Sequence, residues 1–219
     1  MTTAAPTSDA ERMDRHYRFQ RYIYDATRTH YLLGRRHLIR QLSPPPRGTV
    51  LEIGCGTAWN LVRAANAYPN VRFHGLDVSK SMLDTARASV ARHRLDGRIL
   101  LCQGDATNFA AKPLFGVGQF DRVFLSYALS IIPGWQAALQ QASQCLLPGG
   151  SLHVVDFGQC ERLPAGVKRA LFAFLRHYTV TPRAGLEKAL QALATEFQFD
   201  LRFERLHRGY VNYAVLKRP

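Results

Sequence analysis

No apolar run in this 219-residue chain approaches the ~20 residues that span a bilayer, so no membrane-crossing helix is expected. Cysteine is scarce. The four copies, Cys55, Cys102, Cys145 and Cys160, show no Cys-x-x-Cys spacing. That argues against a zinc site or a disulfide framework, so no metal is expected and a reducing cytoplasm fits. Internal repeats and low-complexity tracts are lacking. Residues Met1 to Ala10 lack the charged-then-apolar layout of a secretion signal and read as a frayed tail. Acids are few: 16 Asp and Glu stand against 29 Lys and Arg, a formal net charge of +13. Such a surface attracts phosphate-bearing partners, whether nucleic acid, anionic lipid or phosphorylated metabolite. Arginine, which makes up most of the excess, suits bidentate phosphate contact. A GC-rich genome gives the same arginine excess with no partner involved.

What is present is an alternation of strand and helix patterns, the mark of a parallel α/β sheet. Residues 12 to 42 read as one or two helices, and Ser43-Pro44-Pro45-Pro46-Arg47-Gly48 breaks the pattern as a linker. Two units follow: 1–47 as tail and helical lid, 48–219 as the main domain. Strands are expected at Thr49 to Ile53, Val71 to Leu76, Ile99 to Cys102, Phe120 to Ser126 and Ser151 to Val155, the last after the turn Leu147-Pro148-Gly149-Gly150. Helices are expected from about Asn60 to Ala67, Lys80 to His93, Pro164 to His177 and Ala184 to Thr195. The end, Phe197 to Phe203 and Tyr210 to Leu216, reads as two strands joined by a turn.

The most informative stretch is Val50-Leu51-Glu52-Ile53-Gly54-Cys55-Gly56-Thr57-Ala58. An apolar strand ends there in an acid and two glycines, and the glycines let backbone approach a bound nucleoside. A dinucleotide loop, Gly-x-Gly-x-x-Gly, would need a third glycine where Trp59 stands, which disfavours NAD. Asp77 ends the second strand, where a carboxylate can accept both ribose hydroxyls. Asp105, in Gly104-Asp105-Ala106-Thr107, follows the third. Three such features at three successive strand ends point to one nucleoside site.

This pattern resembles the cofactor site of class I S-adenosylmethionine (SAM)-dependent methyltransferases, over residues 48 to 157. The resemblance implies a Rossmann-like, seven-stranded, mostly parallel sheet with an N-terminal helical lid. It implies SAM contacts at Glu52, Gly54, Gly56, Asp77, Val78, Met82, Asp105, Ala106 and Ser126, with Tyr31 covering the cofactor. Ala58 replaces the family's last loop glycine, a mild departure if the first two carry the tightest turn. The Asn/Asp-Pro-Pro-aromatic motif of base N-methyltransferases is missing after the fourth strand, where Ser126-Tyr127-Ala128-Leu129-Ser130 stands. That argues against a base N-methyltransferase, though not against every nucleic-acid substrate; a nucleic-acid partner is not expected, and a basic SAM-fold binder of a polyanion is a distinct reading.

Tyr17, Tyr24 and Tyr31 recur at heptad spacing, with Arg21, Arg28 and Arg35 beside them. On a helix, such a stripe can face a cationic amine, since aromatic faces attract ammonium groups. It can equally pack on the sheet with its arginines solvated. The run Tyr24-Asp25-Ala26-Thr27-Arg28 through Tyr31-Leu32-Leu33-Gly34-Arg35 resembles bacterial betaine-lipid N-methyltransferases. These convert diacylglyceryl-homoserine to diacylglyceryl-trimethylhomoserine. The chain is similar, less closely, to phosphatidylethanolamine N-methyltransferases, and quinone C-methyltransferases share the fold. The resemblance implies a lipid substrate, an anionic membrane surface and the enzyme that makes diacylglyceryl-homoserine as partners, at the inner face of the membrane. It places Tyr17, Arg28, Arg35, Ser130 and Tyr178 at the substrate. Tyr24, Tyr127 and Asp156 are candidates to receive the proton that the amine must lose. The segment Pro164 to His177 mixes Val167, Leu171, Phe174 and Leu175 with basic residues, a pattern suited to a membrane interface or to a core helix with a solvated rim.

Overall fold

The computed structural model describes residues 31–219. Helix α1 (Arg35–Gln41) leads into β1 (Thr49–Ile53), α2 (Trp59–Ala67), β2 (Arg72–Asp77), α3 (Lys80–Arg92) and β3 (Ile99–Gln103). Then come α4 (Ala111–Phe115), β4 (Phe120–Ser126), α5 (Trp135–Gln144) and β5 (Leu146–Phe157). The chain ends with α6 (Ala165–His177), α7 (Leu186–Phe197), β6 (Asp200–Leu206) and β7 (Val211–Lys217). The seven strands form one sheet in the order β3-β2-β1-β4-β5-β7-β6. Pairs are parallel from β3 to β5, and β7 is antiparallel to both β5 and β6. Rossmann-like topology of the expected kind is therefore present.

Apolar residues on both sides of each central strand explain the layering. Along β4, Phe124 packs with Leu38, Leu61 and Leu83 on one face, while Val123 and Leu125 join Leu139 and Leu190 on the other. A strand that alternates between two buried faces needs helices on both, as parallel sheets have. Each such fully buried Leu or Phe contributes roughly 1.5–3 kcal/mol through apolar burial.

Chain order reverses direction between β1 and β4. The loops leaving these neighbours diverge and leave a crevice at their carboxyl ends, the usual place for a ligand in such sheets.

Two helices, α4 and α5, were not expected from the sequence. Ser126 does not begin a helix: Tyr127 adopts a left-handed φ of 56° and turns lead to Trp135, where α5 starts. Strand β5 begins at Leu146 rather than Ser151. The Leu147-Pro148-Gly149-Gly150 segment lies inside it, where the register against β4 shifts between Phe120 and Arg122 and Gly149 has a φ of 74°. Of the one or two helices expected over residues 12 to 42, the described residues hold α1, which starts at Arg35 just after Gly34, whose φ is 82°; residues 12 to 30 lie outside the described residues.

Candidate active site

The β1 strand ends in a turn that only small residues permit. Gly54 has a φ of 73°, and a Cβ there would sit 2.8 Å from the Cβ of Ala128 on the loop after β4. The Gly54 and Cys55 N–H groups donate to the Leu76 carbonyl at 2.8 and 3.0 Å, holding this turn to the end of β2. Asp77 locks the two strand ends together. Its Oδ2 accepts from the Gly56 N–H at 2.7 Å and its Oδ1 from the Ser79 N–H at 2.9 Å. Ser79 caps α3, its Oγ accepting from the Met82 N–H at 3.3 Å. A carboxylate at this strand end is an acceptor suited to a ligand's hydroxyls.

These residues floor a cavity of about 360 Å³, the size class of small-molecule sites. Val78, Met82, Asp105 and Ala106 line one end. Asp105 Oδ1 accepts from the Thr107 N–H and hydroxyl, both at 2.8 Å. The other wall is apolar, made by Ala128, Ile131, Ile132 and Pro133, with Ser126 and Tyr127 between the two regions. The buried Ser126 Oγ has no hydrogen-bond partner among the described residues. Polar cradle, apolar wall and unsatisfied hydroxyl together fit a nucleoside carrying a further reactive group.

Residues 50–150 match the family model of a methyltransferase domain. The seven-stranded sheet is the Rossmann-like fold of methyltransferases, and S-adenosylmethionine is the cofactor that the cradle fits. Demethylmenaquinone methyltransferase of Listeria monocytogenes is 32% identical over 133 residues, covering 60% of this chain and 53% of that protein. A ubiquinone/menaquinone biosynthesis C-methyltransferase of Syntrophotalea carbinolica is 33% identical over 149 residues, covering 67% and 58%. The chain thus spans little more than half the length of these relatives. Phosphoethanolamine N-methyltransferase 2 of Haemonchus contortus, solved with SAM, superposes with a TM-score of 0.66 at 17% identity, over 84% of this chain and 52% of that one. At that identity the likeness is one of fold.

Behind the glycine turn lies a smaller recess of about 40 Å³, which shares Gly54, Gly56 and Ser126 with the main cavity. Glu52 is fully sequestered there, with Oε1 accepting from the Asn60 side-chain amide at 2.7 Å. Burial pushes its carboxyl up to about 8, against the opposing pull of Asn60 and of the Arg35 charge. The neighbouring Asp77 charge adds to the rise. Glu52 therefore holds a proton at neutral pH in this state. A folded pKa above the unfolded one gives stability that is full below about pH 4.5 and is lost as pH climbs through about 8. The stability difference between wild type and Glu52→Gln should accordingly change between pH 6 and 8, with wild type losing ground. Urea titrations across that range check it, and parallel curves for the two proteins would contradict it.

The structure separates the other expected site residues. Gly54, Gly56, Asp77, Val78, Met82, Asp105, Ala106, Ser126 and Tyr127 share the main cavity. Glu52 and Arg35 meet in the recess. Tyr17, Tyr24 and Arg28 lie outside the described residues. Tyr127 donates its hydroxyl hydrogen to the Leu33 carbonyl, and burial raises its pKa well above the usual phenol value. It thus holds the 31–35 segment instead of removing protons. Asp156, raised by burial to about 6, does not line the cavity. It accepts from the Ser130 N–H at 3.1 Å and the Phe157 N–H at 2.7 Å, fixing the turn behind the apolar wall. Ser130 is likewise buried behind that wall. Tyr31 and Tyr178 are neighbours through Phe174, with ring centroids at 6.1 and 4.9 Å from it.

Arg183 escaped sequence reasoning. Its guanidinium donates to the carbonyls of Leu129 and Ile132, both at 2.9 Å, and so clamps the apolar wall. The Thr181 N–H donates to the Ser130 carbonyl at 2.9 Å, tying the segment after α6 to the same wall. The sequence signal for this wall is the mostly apolar stretch Ala128 to Ile132, interrupted by Ser130, between a strand and Pro133.

Proposed function

We propose that this methyltransferase adds methyl groups to the headgroup amine of an amphiphilic lipid at an anionic membrane surface, converting diacylglyceryl-homoserine to diacylglyceryl-trimethylhomoserine. The observation that carries the reading is helix α6. Leu175 is its sole buried residue, while Val167 is 54% and Phe174 45% exposed beside Lys168, Arg169, Arg176 and His177. An amphipathic helix with an uncovered apolar face and basic flanks suits the headgroup boundary of anionic lipid. Each basic residue near such a leaflet adds about 1 kcal/mol. Through Phe174, Tyr178 and Thr181 this helix adjoins the cavity wall, so a lipid drawn from the surface reaches the site along it. No helix of the described residues is long and apolar enough to cross a membrane.

SAM supplies an activated methyl group on a sulfonium, so positioning of the acceptor provides most of the acceleration. Asp77 and the glycine turn hold the nucleoside end. The apolar wall of Ile131, Ile132 and Pro133 desolvates the incoming amine, which lowers its pKa and favours the neutral, nucleophilic form. The freed proton leaves through water.

Double substitution of Val167 and Phe174 by Glu should abolish pelleting with anionic vesicles and turnover of vesicle-borne lipid, while binding of S-adenosylhomocysteine stays unchanged. Sedimentation and calorimetry read the two effects separately. A second reading, C-methylation of a quinone precursor, is favoured by the names of the two bacterial relatives. Incubation with labelled SAM and a mixed lipid extract separates them. Mass spectrometry should find one to three labelled methyl groups on an amine lipid. Label on a quinone alone would overturn the lipid-amine reading.

A further inference from the structure

We propose that the outer face of α1 and α2, with Leu33 beside it, is a second contact with anionic lipid that extends the docking surface of α6. The inference rests on the lipid reading and names where the rest of that surface lies.

The two helices are neighbours and carry no acid. Arg35–Gln41 and Trp59–Ala67 hold four arginines and not one Asp or Glu. Arg36, Arg40 and Arg63 are exposed, and none of them has an ion-pair partner among the described residues. Like charges also crowd one another here. Arg36 and Arg40 stand four positions apart on α1, a spacing at which like charges destabilise a helix. The Arg63 Cζ lies 3.9 Å from the Trp59 ring centroid, and the Arg35 Cζ lies 3.7 Å from the same centroid. Desolvation, and then the nearby Arg36 charge, lower the Arg63 pKa. A positive field of this kind draws an anion from outside.

The face is continuous with α6. Leu38, Leu61 and Leu175 belong to one apolar cluster, so α1, α2 and α6 cover the same side of the sheet. The Tyr31 ring meets Phe174 edge-on at 6.1 Å between centroids, joining the start of this segment to α6. Helix α6 is itself free of acids. Leu33, between Tyr31 and α1 in the chain, is 36% exposed. The turn that presents it is fixed. The Tyr210 hydroxyl donates to the Tyr31 carbonyl at 2.8 Å, and the Tyr127 hydroxyl donates to the Leu33 carbonyl. A Cβ on Gly34 would stand 3.0 Å from Val211 Cγ1, so the turn is seated against the sheet. An anchored apolar residue beside a basic, acid-free face suits lipid. Phosphates meet the guanidiniums, and the leucine enters the headgroup boundary. A nucleic acid would use the charge alone and leave Leu33 and the apolar residues of α6 without a role.

Sedimentation of the full chain with phosphatidylcholine vesicles containing phosphatidylglycerol tests the proposal. Arg36→Gln/Arg63→Gln should weaken binding about thirtyfold, the effect of two basic residues near an anionic leaflet. Arg36→Gln/Arg40→Gln, which leaves the Trp59 stack in place, should lose as much, and thermal melts check that both variants fold. Lys112→Gln/Lys188→Gln removes the same charge from α4 and α7, on the other side of the sheet, and should stay within about threefold of wild type. Equal losses on the two sides would trace binding to net charge and overturn the proposal. So would full vesicle binding by the arginine variants, or a loss in them of affinity for a single-stranded oligonucleotide in its place; either result leaves α6 as the lipid contact. Failure of wild type to pellet with these vesicles overturns the lipid reading itself.

Discussion

Asp77→Asn should lower affinity for S-adenosylhomocysteine by about a hundredfold while the protein stays folded. The substitution keeps shape and one acceptor oxygen, so it removes charge more than volume. Asp77 receives the Gly56 and Ser79 N–H groups at 2.7 and 2.9 Å, and it does so from the cavity floor. Bonds from ribose hydroxyls to a carboxylate are charge-assisted and worth about 1.5–3 kcal/mol each. An amide in its place also turns an N–H donor toward either the Gly56 N–H or the ligand. Calorimetry with the demethylated cofactor measures the loss, and a thermal melt of the empty protein measures the fold. Affinity within about threefold of wild type would remove Asp77 from the site.

Gly54→Ala should be the most destabilising single-methyl addition in the site. Two costs add. Left-handed backbone, here a φ of 73°, costs an ordinary residue about 1–2 kcal/mol. The new Cβ would also stand 2.8 Å from the Ala128 Cβ, and overpacking of this kind costs about 1–3 kcal/mol. A total near 3 kcal/mol corresponds to a melting-temperature drop on the order of 10 °C for a domain of this size. Ligand binding should fall as well, because the turn cannot shift without pulling its N–H from the Leu76 carbonyl. Adding Ala128→Gly relieves the collision and leaves the backbone strain, so the double variant should recover about half of the loss. Melting curves of the three variants decide. A Gly54→Ala protein as stable as wild type would mean that the β1 and β4 turns do not approach as described.

The parts that were legible in the sequence are those with a period or a hard steric demand. Val50, Leu51 and Ile53 alternate between two buried faces, and Gly54 and Gly56 both stand at positive φ, so the first strand and its turn were readable. Asp77 was readable because it closes an apolar strand. Ala58 was read too lightly: it too is left-handed, with a φ of 62°, so the third loop position makes its own demand for glycine. Helix α5 was missed because Trp135–Gln144 carries no acid in its first turn, no side-chain cap and no base in its last turn. Helix α4 contains Pro113 and is five residues long.

Heptad spacing lines Arg35 up with Arg21 and Arg28, which lie outside the described residues. Arg35 itself follows a left-handed Gly34, stacks on Trp59 and lines the recess of Glu52, and no periodicity shows either neighbour. Arg183 could not be found by any local pattern, because its meaning lies in two carbonyls more than fifty residues away, Leu129 and Ile132.

That guanidinium clamp bears on what the cavity accepts. The wall opposite the nucleoside is built from loop residues pinned by the Arg183 and Asp156 side chains and by the Thr181 backbone bond, not by the strand ladder. Exchanging Ile131, Ile132 or Pro133 reshapes what the enzyme accepts without touching the sheet that grips the nucleoside. The acceptor side of the cavity is thus set by a loop that can be exchanged separately from the nucleoside side.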